Sequence, residues 1–158
     1  MNDLTAVEIH ALNEALDDEY RAWATYDQVI RDFGELRPFS NIREAEARHI
    51  EALRELFDRY GLPLPANPWP GKVAHYPTVR AACAAGVAAE IENGALYERL
   101  LASTQRPEIL AVFRNLREAS QQRHLPAFQR CVERGAEGSG GHGRGGGARH
   151  RWGWRRDT

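Results

Sequence analysis

The chain has 158 residues, 42% hydrophobic and 27% charged, with a mean hydropathy of −0.58, which describes one globular domain and excludes a disordered or membrane-embedded chain. The net charge of −1 is unevenly spread: residues 1–134 carry 16 basic against 20 acidic side chains, and residues 135–158 carry five arginines against two acids. The main body therefore calls for no nucleic-acid partner, and no run of about 18 apolar residues calls for a membrane.

Met1–His10 lacks the basic and apolar regions of an export signal, so the cytoplasm is the expected location. Thr5 and Glu8 form a capping box that starts helix 1, and Gly34 ends it. Pro38 opens helix 2, which closes at Gly61. Pro77 and Thr78 open helix 3, which fades near Ser103; helix 4 runs from Pro107 to Gly135. No segment alternates with period two, so no strand is expected.

Short connections join helices 1 and 2 and helices 3 and 4, which predicts two antiparallel hairpins. Helices 2 and 3 are joined by Gly61–Pro77, with prolines at 63, 65, 68, 70 and 77. In polyproline-like extension that stretch reaches roughly 50 Å, against about 30 Å for a 20-residue helix. The connector can run the length of a bundle, which predicts an all-α, up-down-down-up four-helix bundle with one long crossover.

Apolar residues spaced three and four apart mark the inward seam of each helix, and polar residues interrupt it. Helix 1 reads Ile9, Leu12, Leu16, Glu19, Trp23, Tyr26, Ile30, Phe33, and helix 2 reads Phe39, Ile42, Glu46, His49, Leu53, Leu56, Tyr60. Helix 3 contributes Val79, Cys83, Gly86, Glu90, Tyr97 and Leu100, and helix 4 contributes Ile109, Phe113, Leu116, Ser120, His124, Phe128 and Cys131. A lone seam glutamate more often reaches solvent, and a lone seam histidine is more often hydrogen-bonded. Three carboxylates and two imidazoles at matching depth on four helices need one another, protons or a cation, and a shared metal answers the cost directly. Glu46 and His49, at i and i+3, lie on one helix face.

The two halves repeat. Glu19 and Tyr26 match Glu90 and Tyr97, the run around Asn41-Ile42-Arg43 matches that around Asn115-Leu116-Arg117, and Arg48-His49-Ile50 matches Arg123-His124-Leu125. The offset grows by one between Ala119 and Arg123, which predicts a π-bulge near Ser120–Arg123.

This pattern resembles the ferritin-like superfamily, near the rubrerythrin-type di-iron carboxylate bundles. It is most similar to a bacterial ferritin-like group of undefined function that carries Asn-Ile…Ala-Glu-x-x-His and Asn-Leu…Ala-Ser…His-Leu-x-Ala-Phe. The resemblance covers roughly residues 4–134. It implies metal ligation by Glu19, Glu46, His49, Glu90 and His124, with Tyr26 and Tyr97 hydrogen-bonding the glutamates. It implies iron as one or two ions, manganese or zinc as alternatives, and dioxygen or peroxide as the reacting partner. The sequence departs from the family at Ser120 and Gln121, where the fourth-helix glutamate that bridges two metals is missing. A mononuclear site, a lopsided dinuclear site or an empty polar core are the three outcomes. The matching alternative function is a non-catalytic bundle with a decayed site that binds partners.

Cys83 and Cys131 face inward at one level and are expected as two reduced thiols. The small residues of Ala81–Ala89 fit a close helix approach or a homodimer face. Residues 135–158 hold nine glycines with interspersed Arg and Trp, and read as a disordered tail, the one part suited to touching nucleic acid.

Overall fold

A computed structural model describes residues 3–140, with side-chain surroundings for residues 3–135. Among these residues the chain is all-α, without a strand. Helix α1 spans Ala6–Phe33, α2 Phe39–Tyr60, α3 Val79–Leu101 and α4 Pro107–Ala119; a π-helical turn, Ser120–His124, leads into α5, Leu125–Gly140.

The helix starts follow from local hydrogen bonding. The Glu8 N–H donates to Thr5 Oγ1 at 3.0 Å, and the Thr5 N–H donates to Glu8 Oε1 at 2.9 Å, closing the capping box. Glu8 also accepts from Thr104 Oγ1 at 2.6 Å and from Arg106 Nε at 3.2 Å, which ties the α3–α4 turn to the start of α1. Thr78 Oγ1 caps α3 by accepting from the Ala81 N–H. Gly61 ends α2 in the left-handed region at φ 65°, a conformation glycine adopts without a Cβ penalty. The π turn falls where the repeat gains its extra residue, so the insertion is absorbed inside one continuous rod.

Two apolar clusters form the core. The first joins Leu12 and Leu16 of α1, Leu53 and Leu56 of α2, Tyr97 and Leu100 of α3, and Ile109 and Phe113 of α4. The second joins Tyr26 and Val29 of α1, Phe39 and Ile42 of α2, Cys83 of α3, and Phe128 and Cys131 of α5. On α2, α3 and the α4–α5 rod, the polar seam residues fall between the two clusters in sequence, as Glu46 and His49, Glu90, and Ser120 and His124. On α1, Glu19 lies at the end of the first cluster's span, next to Tyr20 and ahead of Tyr26.

The α2–α3 connector is held along α1. Tyr20 Oη donates to the Pro65 carbonyl at 2.7 Å, Trp69 Nε1 donates to Asp17 Oδ1 at 2.9 Å, and Arg21 stacks over the Trp69 ring at 5.3 Å. Farther along, His75 Nδ1 lies 2.7 Å from Asp32 Oδ2 near the C-terminal end of α1.

Three expectations are corrected. Cys83 and Cys131 are joined by a disulfide, not left as thiols; their Cα atoms stand 6.1 Å apart. The cause is a close approach of α3 and α5 at Gly86, where an added Cβ would sit 2.8 Å from the Phe128 ring. The last helix does not stop at Gly135 but runs to Gly140. Gly135 serves packing there, since a Cβ would meet the Arg80 side chain at 2.9 Å, and Arg80 Nε donates to the Val132 carbonyl. Phe33, assigned to the seam, is 37% exposed at the last position of α1, and Trp23 is half-buried. Most of the expected tail, residues 141–158, lies outside the described residues.

Candidate metal centre

The five seam groups meet. Glu19, Glu46, Glu90 and His124 are each at most 4% exposed, and His49 is half-buried. His49 Nδ1 lies 3.1 Å from Glu19 Oε1 and 3.1 Å from Glu46 Oε1. His124 Nδ1 faces Glu46 Oε2 at 3.5 Å and Glu90 Oε2 at 3.7 Å. The two imidazole rings stack with centroids 5.7 Å apart. The result is two triads, Glu19–Glu46–His49 and Glu46–Glu90–His124, each with its donor atoms within 4.8 Å of one another. Glu46 belongs to both and turns one oxygen toward each.

The surrounding groups orient the carboxylates reciprocally. Tyr26 of the first hairpin donates to Glu90 Oε2 of the second at 2.8 Å, and Tyr97 of the second donates to Glu19 Oε2 of the first at 2.7 Å. Both tyrosines are fully buried, and burial first, then the adjacent carboxylates, keeps their hydroxyls protonated as donors. Ser120 Oγ donates to Glu90 Oε1 at 2.6 Å. Gln121 takes a different path: its Nε2 donates to the Glu90 backbone carbonyl at 2.7 Å, and its side chain lies over Gly94, where a Cβ would stand 2.6 Å from it. Ser120, then, and not Gln121, occupies the interior place beside Glu90.

Without a cation the cluster binds protons. Burial disfavours charge on His49, but hydrogen bonds to Glu19 and Glu46 outweigh it and raise the imidazole to about 10. Burial acts likewise on His124, and Glu46 and Glu90 raise it to about 9. Burial and the Glu46 charge push Glu19 upward, whereas burial of Glu46 is outweighed by Glu19 and by the facing imidazoles of His124 and His49, which pull it down.

The donor set fits a transition metal. Donors about 2.0–2.2 Å from one ion, at angles of 90–110°, stand about 2.8–3.6 Å apart; the His49 contacts fall in that range and the His124 contacts close to it. His124 Nδ1 is buried without a hydrogen bond at acceptable geometry, an orphan that an ion would satisfy. Mixed imidazole and carboxylate ligation suits iron, manganese or zinc.

Sequence reasoning missed Asp18 and Asn93. Burial raises Asp18 to about 7, with the Glu19 charge adding to it, and Asn93 Nδ2 donates to Asp18 Oδ2 at 2.5 Å. Neither residue follows the seam spacing; Asp18 sits one residue, about 100°, round the helix from Glu19.

No family model and no curated protein matches the chain. Among solved structures, a hypothetical protein from Methanococcus jannaschii DSM 2661 is similar in fold, with a TM-score of 0.76 and 23% identity over 86% of this chain and 85% of that one. That likeness extends the all-α architecture to an archaeal protein.

Proposed function

We propose that this chain is a ferritin-like bundle that holds iron, as one or two ions, between Glu19, Glu46, His49, Glu90 and His124, and oxidises Fe²⁺ with dioxygen or peroxide. The observation that carries the reading is Glu46, whose two oxygens face two separate Glu/His triads. His124 Nδ1, buried without a hydrogen bond, supports it as well. The order in which helices enter the two apolar clusters favours the up-down-down-up bundle: α1 and the α4–α5 rod pass from the first cluster to the second, and α2 and α3 return. The connector's path along α1 agrees with a crossover.

Bound iron would supply the electrons for reducing the oxidant. The protein's own part is positional. Tyr26, Tyr97 and Ser120 fix the Glu90 and Glu19 carboxylates, and the flanking apolar clusters keep water from the buried donors. Three carboxylates balance only part of the charge of two divalent ions, so the second equivalent binds more weakly than the first.

Anaerobic Fe²⁺ loading, followed by metal analysis and oxygen-consumption kinetics, tests the reading. One to two equivalents with rapid oxygen uptake is the expected result; less than about half an equivalent of iron, manganese or zinc defeats it. A second reading, a non-catalytic bundle with a decayed site that binds partners, is favoured by Ser120 beside Glu90 and by the existing His49–glutamate pairing. It predicts no rise in melting temperature with any of these metals.

A further inference from the structure

We propose that a cleft between α2 and the π turn and start of α5 binds a small oxyanion of the phosphate or carboxylate type through Arg48 and Arg123. The cleft encloses ≈ 350 Å³ and is lined by Asn41, Glu44 and Arg48 on one side and Arg123, His124 and Ala127 on the other. That volume falls at the low end of ligand pockets, about 300–1,000 Å³.

Its charge arises from the repeat. Arg48 and Arg123 are equivalent positions, each immediately before the histidine of its own hairpin. Pairing of the hairpins brings both arginines to the walls of one cleft. Among the described residues neither takes part in an ion pair, although exposed carboxylates are common on this surface. The one acid on the wall, Glu44, is drawn to Arg43 at 3.4 Å. Two unpaired forks facing one concavity are the arrangement that recognises planar carboxylate or tetrahedral phosphate oxygens.

Asn41 adds a second observation. Its Nδ2 is buried and has no hydrogen-bond partner among the described residues, in a cleft-lining side chain. A buried amide donor left unsatisfied is rare, and this one belongs to a residue on the cleft wall, where a small side-chain rotation would turn it toward a bound oxygen. Ala45 and Ala127 leave the room. The inference does not rest on metal occupancy, since neither arginine nor Asn41 belongs to the Glu/His cluster.

The test is NMR titration of the full-length chain with inorganic phosphate and, separately, with acetate, following the Arg Nε–H and Asn side-chain signals, with chloride at matched ionic strength as control. Saturable shifts at Arg48, Arg123 and Asn41 with either oxyanion are expected, and the anion that saturates identifies the source. Arg48→Gln or Arg123→Gln each weakens binding about tenfold, the double variant abolishes it, and Arg114→Gln, at an exposed arginine elsewhere, leaves it unchanged. Shifts no larger than those with chloride, or saturation that survives in the double variant, overturn the proposal. Both arginines are exposed, so the variants fold.

Discussion

Glu46→Gln is the most informative single change, because Glu46 carries the charge that both imidazoles face. Glu46 is 3% exposed, 3.1 Å from His49 Nδ1 and 3.5 Å from His124 Nδ1. Glutamine keeps the shape and removes the charge. Breaking a buried ion pair from one side costs about 3–5 kcal/mol. Loss of a proton from one imidazole relieves part of that, which places the expected loss near 3 kcal/mol. At about 3–5 °C per kcal/mol for a domain of this size, the melting temperature falls by roughly 10–15 °C. The assay is calorimetry of both proteins stripped of metal and then titrated with Mn²⁺, which needs no oxidant control. Wild type should gain about 2.7 kcal/mol at a hundredfold excess over Kd, and the variant little, since one triad loses its Glu46 oxygen and both lose the Glu46 charge. A variant that melts within about 2 °C of wild type and gains as much from Mn²⁺ would refute the shared role of Glu46.

In the metal-free protein the folded His49 and His124 titrate near 10 and 9, above the unfolded value of about 6.5. Their stabilising contribution is therefore complete below about pH 6.5 and lost as pH rises through 9–10, so denaturant midpoints measured across that range should fall; flat midpoints contradict the pairing. Metal binding needs neutral rings, so loading at pH 7 should release protons, read as calorimetric heats that differ between buffers of different ionisation enthalpy. The Cys83–Cys131 bond spans 48 residues, and loop-closure entropy for that length gives about 4 kcal/mol, so Cys83→Ser with Cys131→Ser should lower the melting temperature by roughly 12–20 °C while leaving metal stoichiometry intact. Gly86→Ala should destabilise by about 1–2 kcal/mol by urea unfolding, because the Phe128 ring 2.8 Å from the new Cβ is fully buried and the helix-propensity gain offsets only part of the clash.

The legible parts of the fold were those set by local chemistry. The Thr5–Glu8 box, the Thr78 cap and the left-handed Gly61 lie where turn and cap residues demanded them. The π turn was legible because a repeat exposes an inserted residue as a change of offset. Five of the six seam polar residues proved buried, His49 being the exception, because a 3–4 spacing reports the inward face directly. What the spacing could not show was distance between helices. The disulfide depends on how closely Gly86 lets α5 approach α3, a matter of packing and not of pattern. The same applies to Ser120 and Gln121: only the π turn decides which of the two neighbours points inward. Asn93 is buried and Asp18 half-buried by a contact between α1 and α3 at the seam's edge, a position periodicity assigns to solvent. The sharing of Glu46 between two triads is likewise a three-dimensional fact.

Crystals of the full-length chain grown anaerobically with Fe²⁺, with anomalous differences collected at the iron edge, test the central claim most directly. Density for at least one iron ion bonded to Glu46, with His49 or His124 completing the ligation, is the predicted result. Crystals with His49 still hydrogen-bonded to Glu19 and Glu46, and no anomalous peak within bonding distance of Glu46, would contradict it.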